Sequence, residues 1–225
     1  MIKNKITRII FRTVYLVLGV IGIIGSLGYF KQSFSENFYL YYTNLSNYIC
    51  FGVIFFALIK TIKSLKNSPE GYCNVLPKFK FMSLIMILVT CLVYNILLAK
   101  EYSVAVYFFS IQNLILHLIL PIMFALDWVL FTEHRQTKWY YPLLATIMPL
   151  IYVVLILIRA AILGKGYQGL LYPYFFLNVD KLGVGGVIGW IAILVLVFVA
   201  LGYGIFGIDH LSKSNNCKTK SLKQN

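Results

Sequence analysis

Thr43, Asn47 and Cys50 recur at helical spacing in "YYTNLSNYICFG", with Ser46 beside them. On a helix their side chains form one polar stripe, and Asn44 stands at its edge. The stripe lies at the threshold of a long apolar run, where each polar group needs a partner once it enters hydrocarbon. Two roles suit these residue types. Ser, Thr and Asn hold membrane helices together by hydrogen bonds between them. A hydroxyl beside amides is also what a nucleophile with an oxyanion donor requires, with Asn47 or Asn44 as the donor.

A hydroxyl needs a base, and His117 in "SIQNLILHLILPIMFALDW" is the one histidine inside an apolar run. Histidine is the usual base near neutral pH, and ionisable groups within a membrane mark functional sites by default. Asn113, one turn earlier, is placed to orient the ring. Pro121, one turn later, has no N–H and leaves the carbonyl of residue 117 without its helical partner, so a kink there opens space beside the ring. Asp127 is about 15 Å further along the helix, too far to act on it. Thr43 stands roughly 8 Å, and His117 roughly 14–18 Å, below the starts of their own apolar runs. Helix tilt and the Pro121 kink must close that difference for the two to meet.

Arg159 in "LILIRAAILG" is the remaining buried charge, near the outer end of the fifth apolar run. It either snorkels to the surface or faces the bundle, where it suits the carboxylate of a lipid. His134 and His210 stand at other depths, and three such histidines make no metal site. No cofactor motif is present, and the lack of a G-x-S-x-G excludes an α/β-hydrolase.

The elements that position these side chains are membrane-crossing helices. Of 225 residues, 60% are hydrophobic and 12% charged, with a mean hydropathy of +0.82, which excludes a soluble domain. Six apolar runs, at 9–30, 39–60, 80–99, 105–131, 141–163 and 184–207, are long enough to span. The expected fold is an all-α bundle of six transmembrane helices in one domain, 1–211. A basic tail, 212–225, is expected to be disordered. A cleaved signal peptide competes for the first run, but its length favours a retained span.

The net charge of +13 is unevenly placed. Lys3, Lys5, Arg8 and Arg12 precede the first span, and Lys60, Lys63, Lys66, Lys78 and Lys80 surround the loop after the second. Arg135 and Lys138 follow the fourth span, and four lysines lie in the tail. Alternate loops are basic, which puts both termini in the cytoplasm and explains the charge without nucleic acid. Cys50, Cys73, Cys91 and Cys217 show no disulfide or metal spacing. Gly19, Gly22, Gly25 and Gly28 form a ridge on the first span, and Gly185 and Gly189 a G-x-x-x-G on the sixth; both are expected to pack helices closely. Aromatic residues at the span ends, Tyr172 and Tyr174 among them, look like interfacial belts, and the loop before the sixth span is long enough to cap the bundle. The absence of an internal repeat weakens a transporter built on inverted halves.

At "YYTNLSN", "HLILP" followed by "LDW", and "YPYFF", the chain resembles the androgen-induced protein family, over about residues 10 to 211. That family includes the androgen-dependent regulator of tissue factor pathway inhibitor and bacterial six-helix membrane relatives. The resemblance implies an intramembrane threonine hydrolase of fatty acid esters of hydroxy fatty acids. Carried over by motif, its threonine falls on Thr43 and its histidine on His117. The implied partner is a lipid ester taken from the bilayer. Short loops and a Lys/Asn/Ile-rich sequence suggest a bacterial plasma membrane. A transporter or channel for a small or amphiphilic solute, and a scaffold whose polar groups only join helices, stay open on the residues alone.

Overall fold

The computed structural model describes residues 4–67, 76–98 and 110–211. Cys73, Cys217 and the basic tail lie outside them. The described residues are helical with no strand, and six helices are long and apolar enough to cross a membrane.

Helix α1 is Lys5–Ser26 and α2 is Tyr42–Asn67. Helix α3 is Pro77–Val93, prolonged by a π-helical turn at Tyr94–Leu98. Helix α4 starts at Ile111–Leu114, passes through a second π-helical turn at Ile115–Ile119 and ends with Leu120–Phe131. Helix α5 joins Tyr141–Leu144 to Ile147–Leu163, and α6 is Val179–Leu211.

Local chemistry sets these ends. The Asn4 side chain accepts the backbone N–H groups of Ile6 and Thr7, capping α1. Gly28 takes φ +95 just past α1, where a Cβ would lie 1.9 Å from the Ser33 carbonyl oxygen; only glycine fits. Pro77 and Pro142 stand in the first turns of α3 and α5, where their missing N–H is harmless. Near the start of α6, Gly183 at φ +67 breaks the helix, so the expected run from 184 begins just past it.

The glycine ridge of α1 packs as expected. A Cβ on Gly19, Gly22 or Gly25 would come within 2.7 Å of Phe51, Leu116 or Phe30 respectively, so α1 lies close against α2 and α4. Gly185 and Gly189 do not repeat the pattern, since nothing lies within 4 Å of either added Cβ. Helix α6 instead meets the bundle through Gly202, which faces Pro142 and Ile85, and through buried Phe198. The central core is Tyr15, Cys50, Ile54, Phe81, Ile85 and Phe124.

At one end of the bundle Lys5 donates to the Ser64 carbonyl at 2.7 Å, and Arg135 to the His210 carbonyl at 3.1 Å. Both described ends of the chain therefore share this end with the C-terminal ends of α2 and α4. Here three of the basic residues read as loop charges turn inward. Arg8, Arg12 and Lys80 are buried. Arg12 pairs with Asp127 at 2.8 Å and donates to the Ala57 carbonyl and Thr61 hydroxyl. Lys80 pairs with the other Asp127 oxygen and donates to Thr132 at 2.7 Å. Asp127 is thus spoken for by cations, far from His117. The opposite end holds the starts of α2 and α4.

Candidate active site

Helix α2 begins at Tyr42, so the backbone N–H of Thr43 has no helical acceptor. The Tyr174 hydroxyl, from the loop between α5 and α6, accepts it at 3.4 Å and also meets the Thr43 side chain. Burial raises the Tyr174 pKa above its ordinary value, so the phenol keeps its proton and remains a donor. Asn44 donates to the Phe38 carbonyl at 2.7 Å, fastening the turn that precedes α2.

The rest of the stripe is occupied in holding helices. Ser46 bonds to the Thr43 carbonyl and to the Thr90 hydroxyl of α3, both at 2.9 Å. Asn47 gives its amide hydrogens to the Thr43 carbonyl at 2.9 Å and to the Leu116 carbonyl of α4 at 3.2 Å. Cys50 reaches the Ser83 carbonyl at 3.5 Å. Interhelical bonding therefore accounts for Ser46, Cys50 and the amide hydrogens of Asn47, and Thr43 is the stripe's hydroxyl that faces open space.

That space is a polar cavity of about 370 Å³, lined by Thr43, Asn44, Tyr94, Gln112, Asn113 and His117 among others. Thr43, Tyr94 and Tyr174 also line an adjoining apolar cavity of about 70 Å³, walled by Val89, Val93, Val153, Leu194 and Phe198. Thr43, 8% exposed, stands at the junction of the two. Thr43 is the second residue of α2 and His117 the seventh of α4. Counted from the helix starts, the depth difference is about 7.5 Å at roughly 1.5 Å per residue, within the expected range, and the cavity spans it.

His117 lies within the π-helical turn of α4, and Tyr94 begins that of α3. Such turns are rare and gather at functional sites; these two face each other. The rings of Tyr94 and His117 stack with centroids 3.3 Å apart and planes 4° from parallel. Asn95 donates to the His117 carbonyl at 3.1 Å, supplying from α3 the partner that Pro121 cannot. Asn47 does the same for Leu116 from α2. Two asparagines from two helices thus satisfy the carbonyls beside the histidine. Among the described residues the buried His117 Nδ1 has no hydrogen-bond partner, and no hydrogen bond joins the imidazole to Thr43 across the cavity they share.

Asn113 lines the same cavity but does not orient the ring; stacking on Tyr94 does. The π turn carries extra residues, so a side chain four positions back no longer sits over the ring. Arg159 is placed elsewhere. Its guanidinium donates to the carbonyls of Leu170 and Leu171, both at 3.1 Å, and lies over Tyr167 at 5.6 Å. It lines neither cavity and instead fastens the loop that carries Tyr174.

Tyr94, Asn95 and Tyr174 are the residues that sequence reasoning passed over. "VYNILL" did carry a signal, an asparagine beside a tyrosine in an apolar span. Tyr174 stood in the "YPYFF" stretch of the resemblance and as an aromatic at a span end, neither of which pointed to Thr43. A comparison of the chain with protein-family models, with curated proteins and with solved structures finds no match.

Proposed function

We propose that the chain is an intramembrane hydrolase of lipid esters, with Thr43 as nucleophile and His117 as general base. The observation that carries this reading is that Thr43 and His117 line one polar cavity, while Thr43 also borders an apolar one. An ester linking an acyl chain to an alcohol needs both environments, meeting at the nucleophile.

In the first step the Thr43 hydroxyl attacks the acyl carbonyl as its proton passes to the imidazole. The tetrahedral oxyanion lies within reach of neutral donors. Asn47 has both amide hydrogens committed, so Asn44 and the protonated Tyr174 hydroxyl are the donors left at Thr43. Collapse returns the proton from His117 to the departing alcohol and leaves an acyl-threonine. Water, deprotonated by the same imidazole, attacks that ester; the acid departs and the hydroxyl is restored.

On this reading the chain is a bacterial plasma-membrane relative of the androgen-induced protein family. The basic loops put both termini in the cytoplasm, and the cavity lies towards the outer face. A fluorophosphonate probe and a fluorogenic medium-chain ester test it on purified protein. Labelling and turnover should both vanish in Thr43→Ala. Labelling that persists in the variant would put the nucleophile elsewhere.

A further inference from the structure

We infer that the alcohol part of the substrate is a small neutral polyol, such as the glycerol of a monoacylglycerol, and carries neither a second acyl chain nor a charged headgroup. The inference rests on the hydrolase reading, since it assigns the two cavities to the two sides of the ester. The apolar cavity, walled by valines, Leu194 and Phe198, takes the acyl carbons next to the ester. The alcohol then projects into the polar cavity past His117.

The lining of that polar cavity selects among alcohols. Gln112 and Asn113 project into it from the first turn of α4, and neither side-chain amide is hydrogen-bonded to the protein among the described residues. Each offers two donors and an acceptor. Ser35 and the partly committed amide of Asn44 add to them. A second hydrocarbon chain would leave these groups unpaired in an apolar setting, a large penalty. A phosphate or carboxylate would meet no countercharge, because no Lys or Arg lines the cavity among the described residues and Arg159 is engaged with the Leu170 and Leu171 carbonyls. An ion moved there without a partner is strongly disfavoured. Vicinal hydroxyls match what is present: neutral groups that donate and accept, flanked by the rings of Phe38, Tyr41 and Phe175.

The test compares three esters of one medium-chain acid on the full-length protein in nanodiscs. They are the 1-monoacylglycerol, the acyloxy fatty acid and the lysophosphatidic acid. The glycerol ester should be turned over with a kcat/KM about tenfold or more above either competitor, the discrimination expected when half-buried polar groups that the bound substrate desolvates are left unpaired. Gln112→Leu and Asn113→Leu should each shrink that preference, mainly by raising KM for the glycerol ester. Equal or faster cleavage of the acyloxy acid or the lysophosphatidic acid would overturn the assignment, as would a preference that neither variant changes. If none of the three is cleaved in a Thr43-dependent manner, the hydrolase reading falls and this one with it.

Discussion

Asn95 on α3 donates its amide to the His117 carbonyl on α4 at 3.1 Å, one turn from the proline that leaves that carbonyl without a helical donor. The bond ties two π-helical turns together at the residue proposed as base. Asn95→Ala should destabilise the bundle by roughly 1 kcal/mol, the worth of one such bond between membrane helices. Pro121→Ala restores an N–H at position 121. The double variant should therefore lose less stability than the sum of the two singles. Melting temperatures in detergent for the four proteins check this, and strictly additive losses would mean that Asn95 does not replace the missing N–H.

His117→Ala removes the proposed base but little packing beyond the ring stack on Tyr94. Turnover per folded molecule should fall about 10²–10⁴-fold, while stability changes by the roughly 0.5–1.5 kcal/mol of an aromatic pair. Turnover in the parent should also fall on the acid side, because a protonated imidazole cannot accept the Thr43 proton. A variant that keeps its full rate per folded molecule would remove His117 from the mechanism.

Most of this architecture could be read from hydropathy, because a span must be long and apolar whatever it packs against. Thr43 and His117 could be read too, as a hydroxyl and an imidazole where hydrocarbon would exclude both. Partnership was harder to see. Which carbonyls lack donors depends on the π turns, and neither Tyr94 nor Asn95 differs by type from an ordinary helix-joining residue. The inward turn of Arg12 and Lys80 was hidden for a related reason. A basic residue near a span end reads as a loop charge until its acidic partner, more than a hundred residues from Arg12, is placed beside it. Gly185 and Gly189 show the converse: a small-residue motif permits close packing without requiring it.

The two glycine motifs should therefore respond differently to a single methyl. Gly22→Ala puts a Cβ 2.7 Å from Leu116, next to the histidine, and should cost about 1–3 kcal/mol as an overpacked contact, with a fall in turnover. Gly189→Ala meets nothing within 4 Å and should stabilise α6 by up to about 1 kcal/mol through helix propensity. Melting temperatures decide it; equal destabilisation by both would mean that the G-x-x-x-G packs after all.

The buried ions at the basic end offer a control for stability without chemistry. Asp127→Ala strands Arg12 and Lys80 away from their shared carboxylate and should cost about 3–5 kcal/mol. Replacing all three together, as Arg12→Met, Lys80→Met and Asp127→Leu, should be milder than Asp127→Ala alone, since the two cations that the carboxylate pairs leave with it. Denaturation of the single and triple variants compares them, and a triple variant less stable than the single would show that packing, not charge, dominates there. Ester turnover per folded molecule should match the parent in both.

Orientation in the membrane follows from where the charges fall. The end that carries both described chain ends also carries Lys60, Lys63, Lys66, Lys78, Arg135 and Lys138, and excess Lys and Arg stays on the cytoplasmic side. The opposite end holds Thr43, the polar cavity and the 164–178 loop, so substrate should enter from the outer leaflet. In a cysteine-free background, single cysteines at Glu36 and Gln168, both exposed at that end, should react with a membrane-impermeant maleimide added to intact cells. Gln136→Cys, exposed at the basic end, should react only after the cells are opened. The reverse pattern would place the cavity on the cytoplasmic side, and labelling of all three from outside would break the alternation that six spans require.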